Sequence, residues 1–428
     1  MVYILNKENK PLMPCSNRKA RLLLKQNKAI VVKKTPFTIK LNFGTSGYKQ
    51  NITLGIDSGS KVIGLSATTP KKVLFEGEVI LRNDIVDLLS TRRELRKSRR
   101  FRNLRYRKPR FNNRVSSKNK GWLAPSIRQK IETHLNSINM VYKILPITNI
   151  VIEVASFDTQ LLKAKEYGLE PPKGKEYQEG EMLKFWNTRE YVLFRDNHTC
   201  RCCKGKSKDN RLNVHHIESR KRGGNAPNNL VTLCETCHND YHLGKIKLPS
   251  SIKRGNSYKD AAFMGIMRWA FYNKVKETYE LFEVNVSLTY GYITKNTRIL
   301  NKLPKEHFID ARCISKNPCA KSDNTYYLLK KVRCHNRQIH KCKILKGGTR
   351  KLNQAPYLVK DFRLFDKVIY NKQKCFIWGR RSSGAFLLKD IKGNTIKDDI
   401  NYKKLKLFEK SKYMLSGVQK YNLEEVIA

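Results

Sequence analysis

Residues 52–80 read ITLGIDSGSKVIGLSATTPKKVLFEGEVI, and their texture decides the fold class. Three short runs rich in apolar and β-branched residues are separated by turn signals, which predicts a β-meander. The first run ends on Asp57, flanked by Gly55 and Gly59, where a backbone or an ion can come close. NIVIEVAS at 149–156 reads as a fourth buried strand, approached through a helix near 127–145, and it carries Glu153. Far along the chain HFIDARCIS, at 307–315, reads as a helix, so His307 and Asp310 share a face. Three acids and a histidine, each beside an apolar run, are the ingredients of a two-metal phosphodiester site. Singly each signal is weak, because an acid at a strand end is more often a cap or a surface charge.

Around that framework the chain is strongly basic. Its 428 residues hold 87 Lys and Arg against 36 Asp and Glu, a formal net charge of +51. Such a charge strains a compact state by self-repulsion and is best matched to a long polyanion. A hydrophobic content of 40% is enough for the chain to fold, and its length suits two or three domains. The sequence has no transmembrane run, amphipathic anchor or lipidation motif, so nucleic acid rather than a membrane is the expected polyanion. The densest basic stretch is 92–114. It carries Arg92, Arg93, Arg96, Arg99, Arg100, Arg102, Arg105, Arg107, Arg110 and Arg114, with Glu94 as the single acid. With no helix breaker before Pro109, it reads as a helix whose guanidinium groups grip phosphates. The opening MVYILNKENKPLMP lacks a signal-peptide layout, which predicts a cytoplasmic protein with reduced cysteines. Richness in Lys, Asn and Ile points to an AT-rich bacterial genome.

The sharpest local pattern is Cys200-x-x-Cys203, then Val214-His215-His216-Ile217, Asn229-Leu230, and Cys234-x-x-Cys237-His238-x-x-x-His242. Two Cys-x-x-Cys pairs about thirty residues apart have the spacing of a structural zinc site. Cys202 is set aside because a two-residue gap is the usual chelating one. His238 and His242 are four apart on a predicted helix and point the same way, so with His215 they could hold a second cation. His216 would face the other side of an extended segment, free to take a proton from water, with its imidazole oriented by Asn229. His198 has no role and is expected at the surface. Cys15, Cys313, Cys319 and Cys375 read as ordinary packing. The spacing of Cys334, His335, His340 and Cys342 is poor for chelation.

This central pattern, with Gly223-Gly224 and the run NLVTLC at 229–234, resembles the HNH (ββα-metal) nuclease motif. The resemblance implies that His216 is the general base, that His215, His238 and His242 are metal ligands, and that Asn229 is the orienting residue. The order of meander, helix, strand and late Asp-bearing helix resembles the RNase H-like fold of RuvC nucleases. By that likeness Asp57, Glu153, His307 and Asp310 would bind two Mg2+ or Mn2+ ions. An Arg-rich helix after the first segment, an HNH module inserted before the third and Pro11-Leu12-Met13-Pro14 near the start complete a specific order. The whole chain resembles the IscB family, compact transposon-encoded relatives of the CRISPR type II effector nucleases.

The resemblance implies an α/β multidomain protein in which the RuvC core is split by the bridge helix and the HNH insertion. Its parts would be a PLMP domain (1–50), a first RuvC segment (51–90), the bridge helix (91–120) and a second RuvC segment (121–163). A linker (164–186), the HNH domain (187–246), a linker with the third RuvC segment (247–318) and a β-rich C-terminal domain (319–428), contacting guide RNA and the target-adjacent motif, would follow. The C-terminal runs LFDKVIY, KCFIWGR and GAFLLKDIKG resemble strands of a small barrel. The family likeness further implies an ωRNA guide, double-stranded DNA as target, Mg2+ (or Mn2+) at both nuclease sites, structural Zn2+ in the HNH domain and a monomeric ribonucleoprotein. The HNH site would cut the guide-paired strand and RuvC the displaced one. A structured RNA would neutralise much of a charge larger than one duplex requires. The alternatives are a protein-guided HNH homing or restriction-type endonuclease and a non-enzymatic RNA-binding protein.

Overall fold

The computed structural model describes residues 1–45, 47–101, 122–154, 187–256, 258–333 and 356–421, with scattered residues between 160 and 185. The chain forms two compact units, Met1–Ser156 with Phe263–Ala428, and Phe157–Ala262. The first unit opens with β1 (Val2–Leu5), β2 (Pro11–Cys15), β3 (Ala29–Lys34) and β4 (Phe37–Leu41), in the order β2-β1-β4-β3. The helix Asn17–Lys25 lies between β2 and β3, and the Ser16 side chain caps its N-terminus by accepting from Lys19 N–H. AIVVKKTPFTIKLNF at 29–43 reads as one strand-like run, but it folds as a hairpin that turns at Thr35-Pro36, where proline offers no N–H to the ladder. VYIL is a central strand, buried at every position and parallel to β4. Residues Pro11–Cys15, marked only as a motif, form an edge strand, where proline is tolerated.

The predicted meander is β5 (Thr53–Ser58), β6 (Val62–Thr68) and β7 (Val73–Ile80), all antiparallel. β8 (Asn149–Glu153) lies parallel to β5, and β11 (Asn285–Thr289) lies parallel to β8. β12 (Thr325–Lys331) pairs parallel to β7, and β18 (Met414–Lys420) pairs antiparallel to β12. The seven-stranded order is β11-β8-β5-β6-β7-β12-β18. Ile150, Val151 and Ile152 are all buried, the continuous apolar run expected of a strand with parallel neighbours and both faces covered. The helices Pro125–Tyr142 and Lys259–Tyr279 supply Ile131, Ile138, Met267 and Phe271 to one core with Leu54, Ile56, Ile63 and Leu65 of the sheet.

Three expectations are corrected. VNVSLTYGYIT at 284–294 reads as one strand, but the strand stops at Thr289 and Gly291–Leu300 is a helix; the Glu153 carboxylate packs against Gly291, where no side chain intervenes. The residues after 319 do not all belong to one C-terminal domain, because β12 and β18 complete the large sheet, burying Leu328, Leu329 and Leu415. The C-terminal strands β13 (Lys367–Tyr370), β14 (Gln373–Arg380), β15 (Ala385–Lys389), β16 (Thr395–Asn401) and β17 (Lys406–Glu409) form a sheet of order β16-β15-β14-β13-β17. Among the described residues β16 and β17 are its edges, so this sheet is open rather than a closed barrel.

The arginine-rich segment begins earlier than its charge does. Its helix is described over Ile85–Phe101, with Arg92, Arg93 and Arg96 exposed. Arg99 and Arg100 lie on the same helix. Arg102, Arg105, Arg107, Arg110 and Arg114 lie outside the described residues, as do Cys334, His335, His340 and Cys342. No helix among the described residues is long and apolar enough to cross a membrane.

The second unit is small. The helix Thr188–Arg195 precedes a hairpin of β9 (Leu212–His216) and β10 (Leu230–Cys234), and the helix Glu235–His242 follows directly. Its core is Val231 and Leu233 together with Cys200, Cys234 and Cys237.

Candidate active sites

In the first unit, Asp57 lies near the end of β5, Glu153 ends the adjacent β8, and His307 and Asp310 lie on the helix His307–Ile314. That helix lies directly on the meander because the sheet offers glycine beneath it. A Cβ on Gly55 would run into the Ala311 carbonyl, and one on Gly64 into the His307 carbonyl. The close approach inferred from Gly55 is therefore an approach of helix backbone. Arg312, on the same helix, forms a fully buried ion pair with Glu76 of β7, with Nη2–Oε1 at 2.6 Å. Tyr421 and Ser322 donate to the other Glu76 oxygen, so the pair is hydrogen-bonded on both sides. A buried pair satisfied in this way fixes one helix register, and so the positions of His307 and Asp310.

The four groups expected from sequence are brought together. His307 Nδ1–H donates to Asp57 Oδ2 at 2.6 Å, across 250 residues of chain. Asp310 faces Arg298 of the helix Gly291–Leu300, with Nε–Oδ1 at 2.9 Å, and Glu153 Oε2 accepts from the Thr294 hydroxyl at 2.6 Å. Burial first, then the Asp57 charge, pushes Glu153 up to about 7. The same two causes raise Asp310, with Arg298 opposing. The bond to Asp57 raises His307 against its burial. Carboxylates that resist sharing negative charge are the donor set a divalent cation relieves, and hard oxygen ligands suit Mg2+ or Mn2+. Thr294, Arg298 and Glu78, whose buried carboxylate feels the His307 charge, were not found from sequence. Arg298 and Thr294 fell in a stretch read partly as strand, and Glu78 looked like one more strand residue.

In the second unit, the Cys200, Cys203, Cys234 and Cys237 sulfurs all lie within 4.8 Å of one another, and Cys202 stays outside the group. Burial raises Cys237, and the neighbouring thiols raise it further. Burial also works against Cys203, yet bonds from the Ser207 hydroxyl and backbone bring it down to about 6. Four soft donors crowded into a core this small fit a structural zinc ion.

The ring nitrogens of His215, His238 and His242 form a second group within 4.8 Å, with His238 and His242 Nε2 atoms 3.3 Å apart. Among the described residues, buried His215 Nε2 has no hydrogen-bond partner. Burial, then the charges of His238, His242 and His216, brings His215 down to about 4. Burial and His242 also lower His238. Three clustered imidazoles, with His215 and His238 held neutral and one nitrogen orphaned, fit a cation, since metal ligation needs the neutral ring.

His216 follows His215 on β9, so its side chain leaves the opposite face of the strand, and it is half-buried. The expected bond from Asn229 is not there. Asn229 is completely buried; its amide donates to the Glu218 and Gly224 carbonyls and its oxygen accepts from Glu218 N–H. It braces the loop backbone, because a buried amide must spend all its bonds on the nearest partners. The neighbour of His216 is instead Asn225, with Nε2 to Oδ1 at 3.0 Å. Nε2–H donation to that oxygen leaves Nδ1 as the acceptor. The only sequence signal for Asn225 was its place after Gly223-Gly224. His198 is exposed as expected, Cys313 and Cys375 are buried, and Cys319 is exposed.

Residues 2–180 match the family described as RRXRR protein, and residues 200–243 match HNH endonuclease. No curated protein matches the chain. Among solved structures, Streptococcus thermophilus Cas9 in complex with AGGA PAM matches at 11% identity and a TM-score of 0.33, covering 62% of this chain and 32% of that one. The same protein in complex with the GGAA PAM matches at 12% identity and a TM-score of 0.32, covering 53% and 30%. This chain thus spans about a third of the length of those structures.

Proposed function

We propose that this protein, an IscB/Cas9-like nuclease with an RRXRR region over residues 2–180 and an HNH endonuclease domain over residues 200–243, cuts both strands of DNA under RNA guidance. The observation that carries this reading is the presence of two chemically distinct candidate nuclease sites on one chain of net charge +51. A single-site nuclease needs only one of them, and a duplex alone needs less positive charge. A structured guide such as an ωRNA supplies the remaining polyanion, with the Arg92, Arg93 and Arg96 face of the basic helix against its backbone. Base pairing then reads the target sequence.

In the HNH domain, His215, His238 and His242 would hold a Mg2+ ion, which supplies charge stabilisation to the phosphate when bound. His216 takes the proton of the attacking water through Nδ1, held in that tautomer by Asn225. Asn229 keeps the loop that presents both. In the first unit, which the reading assigns to a RuvC-type (RNase H-like) nuclease, Asp57, Glu153 and Asp310 would hold Mg2+ or Mn2+. His307, made more basic by its bond to Asp57, accepts a proton there. Cys200, Cys203, Cys234 and Cys237 would hold Zn2+ as a staple.

The test uses protein purified from its native locus, its bound nucleic acid sequenced, and a plasmid matching that guide with each strand end-labelled. His216→Ala is expected to lose about 10²–10⁴ in rate on the guide-paired strand only. Asp57→Ala is expected to lose cutting of the displaced strand only, and the double variant to bind without cutting. Protein that arrives free of RNA and still cuts one defined sequence would replace this reading with a protein-guided HNH endonuclease.

A further inference from the structure

A cavity of about 470 Å³ lies within the first unit, and no candidate catalytic residue lines it. It is built where β3, the helix Pro125–Tyr142, β12 and the C-terminal sheet come together. Its volume falls within the roughly 300–1,000 Å³ of small-molecule sites. Two features of its lining are unusual together. One wall is apolar and partly aromatic, formed by Phe365, Phe376, Leu329 and Met140. Among the described residues its polar lining holds six lysines, Lys33, Lys143, Lys331, Lys367, Lys410 and Lys412, against one acid, Glu409, together with neutral Asn, Thr and Ser side chains.

Lys367 is the informative member. It is only 7% exposed, and its ammonium donates to the Ser416 carbonyl at 2.8 Å and to the Thr35 hydroxyl at 3.3 Å. Both acceptors are neutral, so neither supplies the counter-charge. Burial, opposed by Glu409 and aided by Lys374, brings its amine down to about 8. Burial likewise lowers Lys33, with Glu409 opposing and Lys412 aiding. The ammonium also lies 5.8 Å from the Phe376 ring centroid and 5.4 Å from that of Phe408. With no carboxylate within ion-pair distance among the described residues, a ligand that brings negative charge would relieve the cost of burying it. Lysine is a point-charge binder of phosphate, and an aromatic wall takes the face of any base.

We infer that this cavity binds one nucleotide extruded from a nucleic-acid strand, its base against the Phe365–Phe376 wall and its phosphate at Lys367 and Lys33. The shared chemistry is a nucleoside phosphate, supplied by RNA or by single-stranded DNA. The assignment goes beyond cleavage and does not depend on it, since none of the lining residues belongs to either nuclease site.

The test applies 8-azido-AMP as a photoprobe to the full-length protein stripped of nucleic acid at high salt, with labelled peptides mapped by mass spectrometry. Labelling is expected in the peptides spanning 365–376 and 409–416. AMP is expected to compete at least tenfold better than adenosine or inorganic phosphate. Labelling spread over surface peptides, or phosphate competing as well as AMP, overturns the site. Lys367→Met is expected to weaken labelling at least tenfold. Should that variant fail to fold, Lys33→Met with Lys412→Ala, both at the less buried rim, is expected to weaken it severalfold; unchanged labelling overturns the proposal. Single-stranded RNA and DNA of one sequence then compete separately. The one that displaces the probe identifies the source, and competition by neither overturns the origin in a strand.

Discussion

The carboxylate site and the histidine site solve the same problem of holding metal ligands by opposite means. Asp57 and His307 meet across 250 residues, on a strand and a helix that only the finished sheet brings together. His215 and His242 are joined by one hairpin and one short helix, in a module whose core is largely cysteine. The first site is therefore as stable as the whole unit. The second, on the reading proposed above, depends on an ion held by its four thiolates, because so small a core cannot offset the entropy of ordering its chain.

The largest effect that separates the two is loss of the staple. Structural zinc in small modules is worth about 10–16 kcal/mol, so Cys237→Ser should leave residues 187–246 unfolded and free of zinc. Cutting by the histidine site should vanish while cutting by the carboxylate site persists. Metal analysis with strand-specific nicking decides it, and histidine-site cutting without zinc would erase the contrast.

Arg312→Met makes the converse change. Removing one partner of a buried ion pair costs about 3–5 kcal/mol, here leaving Glu76 alone beneath the helix that carries His307 and Asp310. Calorimetry should show the melting of the large unit shifted down with that of the zinc module unmoved. A variant that melted like the parent would remove Arg312 from this account.

Within the histidine site, the two asparagines should part company. Asn229→Ala leaves buried loop carbonyls and an N–H unmatched, at about 1–3 kcal/mol per group, and should lower both stability and rate. Asn225→Ala should stay within about 0.5 kcal/mol of the parent in stability yet slow histidine-site cutting and alter its pH profile, because the tautomer of His216 is no longer fixed. Equal loss of stability in the two variants would contradict the division.

The last contrast concerns pH. Glu153 titrates near 7 in the folded metal-free protein against an ordinary 4.5. Between those values the folded state holds a proton that the unfolded chain has released, so stability falls as pH rises through that window. Glu153→Gln removes the group that must ionise. Metal-free Glu153→Gln should melt above the parent at pH 8, with the difference shrinking below pH 5. Added Mg2+ should stabilise the parent more than the variant. A gap independent of pH would show that the carboxylate is not carrying the strain.

The meander at 52–80, the β8 strand, the His307 helix and the four thiolates were all legible along the chain, because each rests on local periodicity or on short ligand spacing. His215, His238 and His242 were legible for the same reason, as period-two and period-four neighbours on one hairpin and one helix. What the sequence left open is whatever depends on which element packs beside which. Gly291–Leu300 read partly as strand because its polar–apolar pattern is too short to separate the two periods; in the fold it is a helix that sets Gly291 against Glu153 and delivers Thr294 and Arg298. Asn229 and Asn225 are chemically identical, so their roles follow from burial alone: the completely buried amide must bond backbone, and the exposed one is free for His216. The pairing of Arg312 with Glu76, and the lysine-lined cavity, join segments more than two hundred residues apart. Local sequence determines which chemistry a residue can offer, and tertiary packing decides its neighbours, because burial and charge act through space rather than along the chain.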